Sequence, residues 1–317
     1  MAQANHAEEA TGATTPYGEP VDVVAIVNPT KLEDLGEAQR RLNHHVGRLG
    51  MAPPSWVLTT VDDSGTGQAK RAVAAGADLV LVWGGDGTVT AVAAGLDSTG
   101  VPMGLLPGGT GNLLARNLDV PLQFDEAVRV AFGGRDRSID LMSVSLGRGD
   151  QRISTVMCGT GWDAAMMDVS EKVKARLGWG AYALQAARTV RQHPLRMRVR
   201  VDDGEEHSFY GRTCLIANVG TLIGGLTLLP ESEPDDATIE VLVFDPTTLA
   251  DYVRTSWGVV RGRSNASDPA RTLLRGKKAV VTTHKSRPRQ IDGDLVSDGY
   301  GFVVRVKPAA LVVRVTS

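Results

Sequence analysis

Residues 79–89 constrain the fold of this chain more than any other stretch. The apolar run Leu79–Trp83 is typical of a buried strand in a parallel sheet. Gly-Gly-Asp-Gly-Thr follows at residues 84–88, and a helix of small residues is predicted to begin at about Val89. Glycine lets a backbone approach a ligand closely, and a helix N-terminus presents unpaired N–H groups with partial positive charge. The stretch therefore indicates either a phosphate-binding turn or an ordinary tight turn between a strand and a helix.

A second stretch of the same kind follows on the next strand–helix unit. The apolar residues 104–106 lead into Pro-Gly-Gly-Thr-Gly-Asn at residues 107–112, and a short helix is predicted over Leu113–Leu118. Because adjacent parallel strands end at the same edge of a sheet, we expect both glycine turns to form one ligand site there. Asp86 is the acidic residue of the first turn, and a carboxylate suits a metal ion that bridges phosphates rather than a phosphate itself.

These two motifs together resemble the diacylglycerol kinase catalytic domain in its bacterial lipid kinase branch. That branch is related to sphingosine and ceramide kinases and, more distantly, to NAD kinases and phosphofructokinases. The resemblance implies an ATP site, and Thr59 and Thr60 are alternatives for one of its contacts because both end the second predicted strand. The residues that it implies for ATP are Asn28, Pro29, Thr60, Gly84, Gly85, Asp86, Gly87, Thr88, Gly109, Thr110, Gly111 and Asn112. From the residues alone, Asn28-Pro29 is also a common way to open a turn.

The chain is predicted to form two domains behind a disordered tail at residues 1–20. Residues 21–137 alternate strands with helices, which favours an α/β domain with an open parallel sheet, resembling NAD kinases and phosphofructokinases. Residues 138–317 carry alternating apolar runs typical of antiparallel strands, which favours a β-rich, β-sandwich-like domain with helical insertions. The predicted strands of this half are Ile139–Leu146, Ile153–Met157, Leu195–Val201, His207–Ala217, Ile239–Phe244, Ala279–Thr283, Phe302–Val306 and Leu311–Val315. The predicted helices are Ala164–Leu177, Tyr182–Arg191 and Leu249–Val260.

The resemblance continues through the second half, where motifs follow in the family's order. They are Gly-Thr-Gly-Trp-Asp-Ala at residues 159–164, Gly-Trp-Gly-Ala-Tyr at 178–182, Asn218, Gly-Gly at 224–225, Pro230 and Asp-Asp at 235–236. An ordered series of this kind is more specific than any one match.

Residues 290–294, Gln-Ile-Asp-Gly-Asp, have two interpretations. From the residues alone, a strand that ends in Asp-Gly is usually a hairpin turn. The family resemblance implies that Asp292 is the general base. The chemistry of the reaction is consistent with this role, because an alcohol that attacks the γ-phosphate of ATP needs a carboxylate to accept its proton.

The acidic turn at residues 233–238 is implied by the resemblance to hold a structural Mg²⁺. The matching residues are Asp236, with Glu233 and Thr238 as neighbours. Two positions depart from the family pattern. Ala237 replaces the usual glycine of the acidic turn, and Leu113 stands where many members have an aspartate.

Composition excludes several classes of protein and site. A formal net charge of −2 argues against a dedicated nucleic-acid binder. Cys158 and Cys214 lie in apolar stretches, which favours buried thiols over a disulfide. There is no apolar run long enough for a membrane span, no signal-peptide pattern, no dinucleotide-binding Gly-x-Gly-x-x-Gly after the first strand and no P-loop.

We therefore predict a cytoplasmic, ATP- and Mg²⁺-dependent lipid kinase that contacts the inner face of the membrane peripherally, and a homodimer is compatible with the sequence. Diacylglycerol, converted to phosphatidic acid, is the expected substrate. The alternatives are a sphingoid base, a phosphatidylinositol-type lipid or another hydroxyl compound, and, in a different class, a non-catalytic nucleotide or lipid sensor.

One group of basic and aromatic residues has two interpretations, a surface that docks on the membrane or a solvated helix face. These residues are Lys172, Lys174, Arg176, Arg188 and Arg191 with Trp179 and Tyr182. Residues 222–226 are predicted either to line an acyl-chain cleft or to end a core strand.

Overall fold

The computed structural model describes residues 21–161, 194–222, 226–227, 229, 232–244 and 271–317. The predicted helices Ala164–Leu177, Tyr182–Arg191 and Leu249–Val260, the tail at residues 1–20 and the proposed membrane-docking residues lie outside these ranges.

The first half is a parallel sheet with helices on both faces. Its strands are β1 (Val23–Val27), β2 (Ser55–Leu58), β3 (Leu79–Gly84) and β4 (Met103–Pro107), in the spatial order β2-β1-β3-β4. Its helices are α1 (Leu35–Arg48), α2 (Thr66–Ala74), α3 (Asp86–Leu96), α4 (Leu113–Asn117) and α5 (Phe124–Gly133), with a short 3₁₀ turn at Pro29–Lys31.

The parallel strands β1, β3 and β4 are apolar on both sides because helices cover both faces of the sheet. In β3, Leu81 and Trp83 face α1 and α5, whereas Val80 and Val82 face α2 and α3. This two-sided burial explains why the strands appear in the sequence as unbroken apolar runs instead of alternating patterns.

The second half is built from antiparallel strands, and in the described residues every strand except β11 and β12 joins the first half in one 14-stranded sheet. The strands are β5 (Arg135–Gly147), β6 (Asp150–Ser154), β7 (Met157–Gly161), β8 (Leu195–Val201), β9 (His207–Gly211), β10 (Thr213–Ala217), β11 (Thr221–Leu222), β12 (Leu226–Thr227), β13 (Ile239–Phe244), β14 (Arg271–Gly276), β15 (Lys278–Ile291) and β16 (Asp294–Val315). A separate apolar core, which includes Met197, Ile216 and Val304, fills this half.

Two long strands link the halves. β16 begins in the second half and ends beside β4, where Val313 pairs in parallel with Met103. β5 accompanies β16 in antiparallel register, from Ser145 opposite Val303 to Arg135 opposite Val315. The predicted boundary between residues 137 and 138 falls within β5, and the boundary stays a prediction.

Several predicted elements differ from the observed ones in ways that have physical causes. The run Ile153–Met157 is not one strand but the end of β6, a corner at Thr155, and the start of β7. The predicted strand His207–Ala217 is likewise two strands, β9 and β10. The two last predicted strands are parts of the single strand β16. The helix expected from about Val89 begins three residues earlier, because Gly85 is its N-cap and Asp86 already lies in its first turn.

Candidate active site

The two predicted glycine turns lie side by side at the carboxyl edge of the parallel sheet. The Gly108 amide donates to the Gly84 carbonyl at 2.9 Å, so the turn after β4 is bonded to the end of β3. A Cβ built on Gly109 would lie only 2.7 Å from the Cα of Gly85. Glycine is therefore required for the two backbones to approach this closely.

Asp86 connects the first turn to the second. Its two carboxylate oxygens accept the backbone N–H groups of Asn112 at 3.0 Å and Leu113 at 2.6 Å. Burial raises the pKa of Asp86 above its ordinary value and the negative charge of Asp292 adds to this, while the two backbone N–H bonds act in the opposite direction. Asp86 thus fixes the first turn of α4 against the first turn of α3, and both oxygens keep a lone pair for a further partner.

Asn112 closes the second turn on itself. It has the left-handed φ of 48°, which asparagine tolerates better than most residues. Its side-chain oxygen accepts the Gly109 amide at 3.0 Å, and its side-chain nitrogen donates to the Gly109 carbonyl at 2.8 Å. The side chain therefore shapes the turn, and Thr110 lies exposed at its tip.

Asn28 links the end of β1 to the same site. Its side-chain nitrogen donates to the buried Thr88 hydroxyl at 3.1 Å, and its side-chain oxygen accepts the N–H and O–H of Thr30. The 3₁₀ turn that contains Pro29 carries Lys31 toward the glycine turns, since a Cβ built on Gly85 would lie 3.7 Å from Lys31 Cε. Lys31 is a residue that the sequence analysis missed, although a cation two positions after Asn-Pro was a visible signal.

The two candidate threonines after β2 differ in exposure. Thr59 is buried, and its amide donates to the Val27 carbonyl at the end of β1. Thr60 is exposed, and its hydroxyl accepts the Asp63 amide at 3.1 Å, which closes a local turn. A nucleotide contact from Thr60 stays a prediction, and so does the alternative, Thr59.

The hairpin that joins β15 to β16 brings Asp292 and Asp294 to α3 from the second half of the chain. Ile291 pairs with Asp294, so Asp292 and Gly293 form the two-residue turn, with φ values of 49° and 93°. Both φ values are positive, as the favoured two-residue hairpin turn requires. The hairpin interpretation of Asp-Gly is therefore confirmed, and the base role of Asp292 stays a prediction.

Asp292 is buried and surrounded by hydrogen-bond donors. One oxygen accepts the Ser154 hydroxyl at 2.7 Å and the amides of Val156 and Met157, and the other accepts the Thr155 amide and hydroxyl. The Thr90 hydroxyl of α3 also donates to this second oxygen, at 2.6 Å. The corner at residues 154–157 and helix α3 are thus fixed to the hairpin by one carboxylate. The sequence analysis identified none of these donors.

The acidic turn at residues 233–238 is held by arginines. Asp235 accepts two hydrogen bonds from Arg137, at 2.8 and 2.9 Å, and Asp236 forms an ion pair with Arg275. Asp236 also accepts the Thr238 amide at 2.9 Å and the Thr238 hydroxyl at 2.6 Å.

The remaining acidic groups at this turn do not supply an open metal site. Glu233 is exposed, and Asp140, buried beneath the turn, accepts the amides of Ala237 and Ala309. In the part of the chain that the structure describes, no group of three or more His, Cys, Asp or Glu side chains is arranged to hold a metal ion. Asp236 and Asp140 already have protein partners, and the structural Mg²⁺ at Asp236, Glu233 and Thr238 stays a prediction.

Among the described helices, none has the length and apolar character needed to cross a bilayer. Cys158 and Cys214 are both buried, and no disulfide joins them, as predicted.

Two family models match this chain. Residues 22–144 match "Diacylglycerol kinase catalytic domain", and residues 156–315 match "YegS C-terminal NAD kinase beta sandwich-like domain". The two matches confirm the predicted fold class, an α/β half followed by a β-sandwich-like half.

Proteins of similar sequence are named as lipid kinases. The chain is 31% identical to a "Probable lipid kinase YegS-like" from Pectobacterium atrosepticum over 78% of this chain and 83% of that protein. It is 27% identical to a "Diacylglycerol kinase" from Mycobacterium tuberculosis over 76% of this chain and 78% of that protein.

Solved structures show the same fold. A diacylglycerol kinase from Bacillus anthracis superposes with a TM-score of 0.74 at 21% identity, over 93% of this chain and 97% of that one. An NAD kinase from Archaeoglobus fulgidus, solved in complex with ATP, superposes with a TM-score of 0.51 at 14% identity, over 92% and 93%. With the family models and the relatives, the packed glycine turns and the hairpin at α3 lead to one identification: the chain belongs to the diacylglycerol kinase family, in its YegS-like lipid kinase branch.

Proposed function

We propose that this lipid kinase transfers the γ-phosphoryl group of ATP to the hydroxyl of diacylglycerol, which yields phosphatidic acid and ADP. The observation that carries the proposal is the juxtaposition of two packed glycine turns with a carboxylate-bearing hairpin at the N-terminus of α3. The glycine turns suit a polyphosphate, and the hairpin supplies carboxylates from the opposite side, where an attacking hydroxyl would enter.

The phosphates of ATP are expected to lie against the first turn of α3. Its free N–H groups and partial positive charge favour an anion, and the neighbouring Gly108–Asn112 turn offers a second set of backbone groups. Lys31, beside Gly85, adds a positive charge. Asn28 acts by holding the end of β1 to Thr88, so that these groups keep their spacing.

Mg²⁺ bound with ATP would offset the charge on the β- and γ-phosphates. Asp86 is the residue that fits this ion, since it is a half-buried carboxylate beside the phosphate-binding turn with a lone pair left on each oxygen. Asp86 also orders the second turn through Asn112 and Leu113, so its role combines metal binding with shaping of the site.

The lipid class is inferred from similar proteins, which are named diacylglycerol kinases and YegS-like lipid kinases. We place the enzyme in the cytoplasm, at the inner face of the membrane when it acts, because its substrate resides there. A homodimer stays a prediction.

The deciding experiment uses γ-labelled ATP and mixed detergent micelles. Separate reactions contain diacylglycerol, sphingosine, ceramide, phosphatidylinositol or no lipid. Labelled phosphatidic acid as the main product supports the proposal, and a different labelled lipid assigns another substrate. ATP binding without any labelled lipid, including with a total lipid extract, would make the protein a sensor and overturn the proposal. Asp86→Asn is the matched inactive control.

A further inference from the structure

Three arginines lie at alternate positions of strand β8. Arg196, Arg198 and Arg200 are exposed, whereas the residues between them are buried in the core of the second half. Alternate residues of a strand point to one face of the sheet, so the three guanidinium groups are on the same side. The antiparallel register places Tyr210 of β9 opposite Arg196, and Thr282 of β15 opposite Arg198, on that same face.

The arginines of this face have few protein partners. Among the described residues, the guanidinium groups of Arg196 and Arg200 form no hydrogen bond or ion pair. Arg198 donates to Glu206 through Nη1 at 3.3 Å, and its other N–H groups have no partner in the described part of the chain. An exposed pair of this kind contributes little to stability, and a guanidinium has five N–H donors. Most of the donors of this face are therefore available to a ligand.

Two further cations extend the face across β15 and β16. Lys278 lies four residues before Thr282, hence on the same side of β15, and its register partner on β16 is Arg305. Like charges directly opposite each other destabilise a sheet, so this arrangement has a cost in the free protein. An anionic partner would offset that cost.

A pocket of about 280 Å³ opens on this face between β8 and the middle of β15. The register of β15 against β16 shifts between Thr282 and Arg287, and a bulge of this kind bends a strand and redirects its side chains. The His284 ring lies beside Arg196, with Nδ1 3.2 Å from the Arg196 carbonyl oxygen. Among the described residues, the side chains that line the pocket are all polar and none is acidic: Arg196, Arg198, Thr282, Thr283 and His284.

The Thr282 hydroxyl at this pocket is buried and, among the described residues, has no hydrogen-bond partner. A buried hydroxyl without a partner is costly and calls for an explanation. Rotation about its χ1 torsion would let the hydroxyl donate to a ligand oxygen between the two arginines. The orphaned donor and the guanidinium groups thus both favour a ligand that carries several acceptor oxygens and negative charge.

We propose that this pocket binds the phosphate group of an anionic membrane phospholipid, with the cationic face of β8 against the bilayer surface. Guanidinium groups match phosphate oxygens in geometry and charge. Tyr210, of which 66% is exposed, is amphipathic and suits the headgroup layer beside the pocket. Pockets for drug-sized ligands begin at about 300 Å³, so this one holds a headgroup and leaves the acyl chains in the bilayer. The inference rests on the function proposed above, because a lipid kinase must reach a bilayer.

The test measures binding of the full chain to vesicles by co-sedimentation, without ATP and without diacylglycerol. One set of vesicles is phosphatidylcholine, and the other is an equal mixture of phosphatidylcholine and phosphatidylglycerol. The variants are Arg196→Gln, Arg198→Gln and the double variant, each checked by its melting temperature. Arg152→Gln is the matched control, since Arg152 has a similar exposed ion pair, with Asp150 at 3.2 Å, on β6, which β5 and β16 separate from the pocket.

The wild type should bind the phosphatidylglycerol vesicles and not phosphatidylcholine alone. Each pocket variant should raise the Kd about fivefold and the double variant about 25-fold, the effect of one and two cations near an anionic surface. Arg152→Gln should bind like the wild type. Inorganic phosphate, exchanged for chloride at constant ionic strength, should weaken binding of the wild type more than that of the double variant.

The inference is overturned if the wild type does not prefer the anionic vesicles, or if the double variant binds them as tightly as the wild type. Equal losses in Arg152→Gln and Arg196→Gln also overturn it, because they would reflect net charge alone. If inorganic phosphate stabilises the wild type but not the double variant, and no vesicle binding is seen, the pocket takes a soluble phosphate compound and the lipid assignment is wrong. Failure of the proposed function is separate, since it appears as a wild type that labels no lipid, whatever its binding to vesicles.

Discussion

The hydroxyl of Thr90 donates to the carboxylate of Asp292 at 2.6 Å, although the two residues are 202 positions apart in the chain. Thr90 belongs to the nucleotide-binding half and Asp292 to the β-rich half, so this bond fixes the hairpin to the helix that begins the phosphate site. The relative placement of phosphate site and hairpin thus depends on a buried polar contact between the halves, not only on the strands that link them.

Thr90→Val keeps the shape of the side chain but removes this donor. We expect the free energy of unfolding to fall by about 1–2 kcal/mol, because a hydrogen bond to a charged group is lost while other donors to Asp292 remain. Urea denaturation measures the change. Thr282→Val is the matched control, since among the described residues the buried Thr282 hydroxyl has no hydrogen-bond partner. Equal losses in both variants would contradict a role for the Thr90–Asp292 bond.

Gly109→Ala tests the contact between the glycine turns. The added methyl would lie 2.7 Å from the Cα of Gly85, so the turns must separate and the phosphate site must widen. We expect the rise in melting temperature caused by ATP with Mg²⁺ to disappear. In Gly47→Ala, within helix α1, the methyl meets nothing within 4 Å, and the ATP response should be kept. A normal ATP response in Gly109→Ala would show that nucleotide binding does not need this close approach.

The sequence predicted those parts of the site that are formed by residues close together in the chain. The strand–glycine–helix turns and the Asp-Gly hairpin follow from backbone requirements that are readable within a few residues. The donors to Asp292 were not predicted, since Thr90, Ser154 and Thr155 become its neighbours only through the pairing of distant strands. The same cause hid the corner at Thr155: the apolar run Ile153–Met157 suits a strand, and the bend is fixed by a carboxylate 137 residues away.

Ala237 shows how a departure from the family pattern is accommodated. Its φ is 59°, in the left-handed region where glycine is favoured, and the Asp140 carboxylate accepts its amide. Ala237→Gly should therefore stabilise the protein by about 1 kcal/mol, because the strain of a Cβ at positive φ is relieved. The opposite sign is expected for Ala94→Gly in the interior of α3, which should cost about 0.5–1 kcal/mol. Chemical denaturation measures the free energy of unfolding of both variants. The prediction is contradicted if Ala237→Gly lowers it, as Ala94→Gly is expected to do.

Arg275 tests whether protein cations or a metal stabilise the acidic turn. It contacts Asp236, Thr238 and Glu240, so Arg275→Ala should lower the free energy of unfolding by about 1 kcal/mol. Arg152→Ala, at an exposed pair with Asp150, should change it by less. Because Asp235 and Asp236 already have arginine partners, adding EDTA should not change the melting temperature of the wild type. A clear drop with EDTA, restored by Mg²⁺, would instead support the metal site at Asp236.

The contribution of Asp294 to the stability of the folded protein depends on pH. Burial, and then the negative charge of Asp292, raise the pKa of Asp294 above its ordinary value. A raised carboxyl pKa means that the folded state favours the protonated form. The stability that this group contributes is therefore present below its unfolded pKa of about 3.9 and is lost as pH rises through the raised folded value.

Asp294→Asn lacks this dependence, so its melting temperature relative to the wild type should rise between pH 4 and pH 8. Asp298→Asn on the same strand removes the same charge away from Asp292 and is the control for general electrostatics. Thermal melts of the three proteins across this pH range give the comparison. A constant difference between Asp294→Asn and the wild type would show that the Asp294 carboxylate is solvated as well in the folded state as in the unfolded chain. A growing difference means that the ionised Asp294 carboxylate, beside the negative charge of Asp292, costs stability at neutral pH.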